Sequence, residues 1–119
     1  MDNQETYFAL STPSGRSATA TIRISGPNSK STTLKFFKNK NKNLRPRLNY
    51  VVPLYNKNND LIDTCVVVYY KKPKSFTGDD MVEIHTHGNP VIVETISKEL
   101  LTLNVRPAEP GEFTRAALL

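Results

Sequence analysis

Between residues 81 and 103 the sequence changes its period once, and that change limits the folds open to the chain. MVEIHTH, residues 81–87, alternates apolar and polar side chains as a half-buried strand does. Glu83, His85 and His87 therefore share one face, and Val82, Ile84 and Thr86 share the other. After Gly88 the spacing becomes helical: Ile92, Ile96 and Leu100 recur along one stripe, which Val93 and Leu103 widen. Asn89 suits the N-cap of that helix, and Pro90 its first position, where a missing N–H costs nothing. A chain built around this unit combines sheet and helix.

The other segments read mostly as strands. Tyr7 to Leu10 is apolar, TPSG from Thr12 to Gly15 has turn chemistry, and ATATIRIS from Ala18 to Ser25 alternates with β-branched residues, so two strands flank a tight turn. Gly26 and Pro27 end the second strand, and Asn28 or Ser29 is placed to cap a short helix reaching Phe36 and Phe37. YVVPLYN and LIDTCVVVYYKK read as two further strands around the turn-rich NKNND. Pro53 sends the first of these to an edge or interrupts it, because proline donates nothing to a ladder, whereas Val66, Val67 and Val68 suit the second to the sheet centre. VRPAEPGEF reads as a short extended piece, and TRAALL from Thr114 as a helix cut off within its first two turns. The expected fold is α+β: a single domain over residues 1–119, with a mixed, largely antiparallel sheet of five or six strands and two or three helices.

Composition narrows the setting. Cys65 is the sole cysteine, which excludes an internal disulfide and fits a reducing compartment; its apolar surroundings make it a small buried hydrophobe rather than a nucleophile. No stretch approaches the roughly 18 unbroken apolar residues of a membrane span, and the N-terminus has the wrong charge order for a targeting peptide, so a cytoplasmic protein is expected. The formal net charge of +5 is local: the excess lies between Lys30 and Lys57, centred on KNKNKNLRPR from Lys38 to Arg47, an exposed connector whose one hydrophobic residue is Leu44.

The Glu-x-His-x-His row admits three readings. Two histidines and a carboxylate can ligate zinc or iron, as in a metal-dependent hydrolase, although the chain has no other histidine to complete the set. The row can equally pack and hydrogen-bond structurally. It can also form the polar wall of a pocket for an organic ligand: Glu83 would accept two hydrogen bonds from the N–C–N edge of a pterin, a purine or a guanidinium, while Gly88 and Asn89 shape the pocket edge beside a helix N-terminus. Arg23 stands in an otherwise uncharged strand; it either faces outward from an edge or lies opposite a carboxylate and clamps a planar or anionic ligand. The connector from Lys38 to Arg47, flanked by Phe36, Phe37 and Tyr50, offers a different function, a small RNA-binding module. Neither a phosphate-binding Gly-x-x-x-x-Gly-Lys-Ser/Thr loop nor a Gly-x-Ser-x-Gly elbow occurs.

Three segments in order, ALSTPSGRSATATIRISGP, SFTGDDMVEIHTHGNP and RPAEPGEFTRAALL, resemble the N-terminal domain of the TrmE/MnmE tRNA-modification GTPases. The resemblance covers essentially the entire chain; the basic connector is its least characteristic part. It implies a domain similar to the tetrahydrofolate-binding domain of the glycine-cleavage aminomethyltransferase, forming a homodimer that holds 5-formyltetrahydrofolate or a related tetrahydrofolate near the interface. Family enzymes work with a flavoprotein partner on carbon five of the wobble uridine of certain tRNAs. Of the family's folate contacts, the arginine of the RIS strand matches Arg23 and the glutamate of the strand after SFTG matches Glu83; His85 and His87 line or pack beside them. The same resemblance implies that this chain is an isolated or truncated N-terminal domain with no catalytic residue of its own, that GTP, magnesium and potassium belong to a G domain absent from it, and that a further folate contact, a lysine soon after PGEFT, falls past Leu119. The sequence departs from the family pattern at Ser17, where glycine is common, at Asn89 within the turn, where its tolerance of left-handed backbone should preserve the conformation, and at Leu118, where an aromatic is frequent.

Overall fold

A computed structural model describes residues 5–11 and 18–118. Among these, six strands form one sheet: β1 (Tyr7–Leu10), β2 (Thr19–Ser25), β3 (Asn49–Tyr55), β4 (Leu61–Tyr70), β5 (Met81–His87) and β6 (Arg106–Pro107), in the spatial order β3-β4-β5-β2-β1-β6. β6 runs parallel to β1 and the other pairings are antiparallel. Three helices accompany the sheet, α1 (Ser29–Leu34), α2 (Pro90–Thr102) and α3 (Glu112–Leu118). The expected α+β fold with its mixed, largely antiparallel sheet is what forms. The TPSG turn and Ser17 lie outside the described residues.

Alternation along the strands decides which face is covered. Ile22 and Ile24 of β2, Val67 of β4, and Val82 and Ile84 of β5 point into one core with Ile96 and Leu100 of α2 and with Phe36, Phe37 and Leu44. Each such side chain, fully buried, contributes about 1.5–3 kcal/mol by leaving water. Leu44, the lone hydrophobe of the basic connector, is 1% exposed and so anchors that loop to the core. β3 is an edge strand, as Pro53 requires, and β4 lies inside the sheet.

Three local expectations are corrected. α1 stops at Leu34, because Lys35, Phe36 and Phe37 donate to carbonyls three residues back and tighten the chain into turns that deliver both rings to the core. Asn28 gives α1 no side-chain cap; its backbone N–H donates to Thr6 Oγ1 at 3.1 Å. That contact follows from Gly26, whose φ is +134° and which passes so close to Thr6 that a Cβ there would lie 2.6 Å from the Thr6 Cα. α3 begins at Glu112, ahead of Thr114, since the Glu112 carboxylate accepts the Glu109 N–H at 2.9 Å and closes the first turn. At α2 the expectation holds: the Asn89 side chain accepts the Val91 N–H at 2.9 Å, with Pro90 first in the helix. Asn89 does so from an extended conformation, φ −85° and ψ 122°, so its tolerance of left-handed backbone is not used. No helix among the described residues is long and apolar enough to cross a membrane.

Candidate functional site

On the face of the sheet opposite α2, strand register lines up two rows of side chains. Asn49, Val68, Glu83, Arg23 and Ala9 are successive partners across five strands, and Val51, Val66, His85 and Thr21 form the next row. Arg23 and Glu83 thus meet directly: Arg23 Nε donates to Glu83 Oε2 at 2.9 Å, with the side chains 28% and 12% exposed. β2 lies between β1 and β5, so the alternative of an outward arginine on an edge strand is overturned. The guanidinium also sits 4.7 Å over the Phe76 ring, which flattens it against an apolar surface.

The other carboxylate oxygen is shared. Tyr70 Oη donates to Glu83 Oε1 at 3.4 Å, and His85 Nε2 approaches the same atom at 3.3 Å. With Nε2 donating, His85 Nδ1 accepts the hydroxyl of Thr21 at 3.0 Å. Burial, and next the charge of Glu83, push the Tyr70 phenol above its ordinary range. The site therefore offers one short charge-assisted bond at Oε2 and two long, weak ones at Oε1. Oε1 is the atom a ligand can claim.

His87 leaves this cluster. Its ring Nδ1 and backbone N–H both reach Asp63, at 2.9 and 3.0 Å. Burial is the largest single influence on the Asp63 carboxyl and opposes its ionisation, yet the two bonds from His87 together hold it below its usual value. The Glu83, His85 and His87 row consequently does not converge, and among the described residues no group of three His, Cys, Asp or Glu is placed to hold a metal ion. Gly88 serves the sheet: its N–H donates to Ala18 O at 3.0 Å. Cys65 is 1% exposed, with its thiol pushed up to about 12 by burial and then by Asp63.

The segment between β4 and β5 closes one end of the open face. Ser25 Oγ and Thr77 Oγ1 are 2.8 Å apart in a buried pair, and Gly26 N–H donates to Asp80 O at 2.9 Å. These bonds hold Phe76 under Arg23. α3 arrives from the other side: the Phe113 ring meets Tyr7 edge-on at 4.9 Å, and Arg106 grips Glu112 through two nitrogens at 2.8 and 2.6 Å and also reaches Glu5. The segment between Glu109 and Phe113 thereby positions α3 beside the face that carries Arg23, since Tyr7 and Ala9 alternate on β1 toward it. Sequence reasoning singled out Arg23, Glu83 and His85, which the fold brings together, but not Thr21, Tyr70 and Phe76, which meet them, nor Asp63, which holds His87. Phe76 lies within SFTG and was findable; the others depend on register.

The family described as GTP-binding protein TrmE N-terminus matches over residues 6–119. Similar proteins include the tRNA modification GTPase MnmE of Legionella pneumophila (strain Corby), 44% identical over 115 residues that cover 97% of this chain and 25% of that protein. The protein of the same name from Fervidobacterium nodosum is 46% identical over 121 residues, 98% of this chain and 26% of its own. The one from Ehrlichia chaffeensis is 46% identical over 114 residues, 96% and 25%. The chain thus spans about a quarter of the length of these relatives.

Proposed function

The chain belongs to the family of TrmE N-terminal domains, and on that premise we propose that it is the folate-binding and dimerisation module of a GTPase that modifies tRNA at carbon five of the wobble uridine. The observation that carries this reading is the Arg23–Glu83 pair, held at 2.9 Å on an open sheet face over Phe76. A pterin presents a flat ring with an N–C–N donor edge, and a carboxylate accepts such an edge through two parallel bonds. The donor set fits. Glu83 Oε1, bonded to Tyr70 and His85 only at 3.3–3.4 Å, exchanges those contacts for the ligand at little cost, while the Oε2 bond keeps the carboxylate oriented. Thr21 and His85 then steady the wall of the pocket, and Gly88 and Asn89 fix where the strand turns away.

Dimerisation through the same face is supported by Val51, 72% exposed beside Val66, and by Phe76, 45% exposed. Likeness to the tetrahydrofolate-binding domain of the aminomethyltransferase, cytoplasmic location, a flavoprotein partner, tRNA contact through the longer protein, and GTP, magnesium and potassium in its other parts complete the reading.

Calorimetric titration of 5-formyltetrahydrofolate into the protein, beside Arg23→Ala and Glu83→Gln, tests it. Saturable binding that weakens about tenfold or more in both variants is expected, since each loses a charge-assisted bond. Equal affinity in all three proteins would remove Arg23 and Glu83 from the site. Sedimentation of Val51→Lys beside the parent tests the dimer, and an unchanged dimer would move the interface off this face.

A further inference from the structure

Immediately past Tyr70 the surface changes character. The turn after β4 and the end of the basic connector enclose a cleft of about 360 Å³ lined by Pro46, Arg47, Lys71, Lys72, Pro73 and Lys74. Four of these six residues are cations and none is an acid. The ion pairs seen among the described residues involve none of the four. The nearby Asp80 carboxylate is occupied by the Lys72 backbone N–H at 3.0 Å and by the Tyr69 hydroxyl at 3.3 Å. The walls are ordered by backbone bonds: Arg47 N–H donates to Tyr69 O at 2.8 Å, with Arg47 in a left-handed conformation at φ 67°, and Lys74 N–H donates to Lys71 O at 3.0 Å.

The cleft adjoins the Arg23–Glu83 site through one side chain. Tyr70 donates to Glu83 Oε1 at 3.4 Å and is the last residue of β4, directly before Lys71 in the cleft wall, so the two sites are neighbours along the chain. A ligand whose ring engages Glu83 and whose chain passes Tyr70 therefore arrives among unpaired cations.

Resting on the reading of the Arg23–Glu83 site as a pterin site, we infer that this cleft holds the oligo-γ-glutamyl tail of the folate, and that the chain selects polyglutamylated over monoglutamylated forms. A folate ends in a glutamate, and each γ-linked addition contributes one more carboxylate along an extended chain. Three lysines and an arginine on a short, acid-free cleft offer several cations to such a run of carboxylates. A nucleic-acid track fits less well, because much of the connector's charge is engaged within the fold. Lys38 and Lys42 lie 5.1 and 5.2 Å over the rings of Tyr55 and Tyr50, and Lys40 Nζ donates to the carbonyls of Lys35 and Phe37.

The test is calorimetry with the mono- and triglutamyl forms of 5-formyltetrahydrofolate at low salt, on the protein and on the triple variant Lys71→Ala, Lys72→Ala, Lys74→Ala, with circular dichroism to verify folding. The triglutamyl form is expected to bind about tenfold tighter, the sum of a few exposed charge contacts, and the ratio to fall to about one in the variant and to shrink with added salt. Equal affinity for the two forms in the parent overturns the tail site and leaves the pterin reading standing. Binding of neither form removes both. A ratio that survives the triple substitution, with loss of retained tRNA instead, reassigns the cleft to nucleic acid.

Discussion

Arg23 and Glu83 come from segments 60 residues apart and are direct register partners on β2 and β5, their side chains joined at 2.9 Å. The pair is partly shielded, so it has enough exposure to exchange partners and enough burial to hold its geometry. Strand register sets their separation, and no single loop does. A double-mutant cycle over Arg23→Ala and Glu83→Ala, read by urea unfolding, should give a coupling of about 1 kcal/mol. Strict additivity would mean that the pair contributes nothing to the stability of the fold.

Acid sensitivity should localise to α3. The Glu112 carboxyl lies below its ordinary value of 4.5 chiefly because of its hydrogen bonds from Arg106, which outweigh burial. The folded state therefore favours the ionised form, and that stability is present above the ordinary value and is lost as pH falls through the lowered one. Unfolding midpoints measured from neutral pH down to about pH 2 should drop in this window, and Glu112→Gln should flatten the drop. Asp63, held low by His87 once burial is overcome, adds to the slope in the same direction.

Gly26 and Gly78 separate strain from collision. Both have left-handed backbone, φ +134° and +81°, yet a Cβ at Gly26 would strike the Thr6 backbone at 2.6 Å, whereas at Gly78 nothing lies within 4 Å. Gly78→Ala should cost about 1 kcal/mol from conformation alone, and Gly26→Ala about 2–4 kcal/mol from both effects. Equal losses in thermal unfolding would show that the approach of Thr6 yields freely.

Cys65 should be silent. With its thiol buried and pushed up to about 12, almost none is thiolate near pH 8. An aromatic disulfide reagent should label the folded protein only on the timescale of unfolding and label it at once in denaturant. Fast labelling in the folded state would contradict the burial.

Much of this fold was legible because one period dominates each segment. Val82, Ile84 and Thr86 went to the covered face and Glu83 and His85 to the open one, as alternation demands. α2 kept its cap and its stripe for the same reason. Alternation does not reveal which strand lies beside which, so neither the meeting of Arg23 with Glu83 nor the contribution of Tyr70 from β4 was fixed until register was known. His87 shows the cost of reasoning from parity alone, since it shares a face with Glu83 in sequence yet is drawn to Asp63 on the next strand. The last turn of α1 and the first of α3 were misjudged because they are set by particular bonds, those of Lys35, Phe36 and Phe37 to carbonyls three residues back and that of the Glu109 N–H to Glu112, which propensity does not encode.

Pro53 on β3 and Pro107 on β6 occupy the two outer strands of the sheet. Each removes one amide donor from a rim, and on β3 the Tyr55 N–H is already given to Phe36 O at 2.8 Å. A stray strand from another molecule thus finds a broken template at either end, which makes fibre-like growth of the sheet unfavourable. Association is thereby steered away from open-ended stacking of rims and toward closed contact between faces, where the number of copies is limited by geometry.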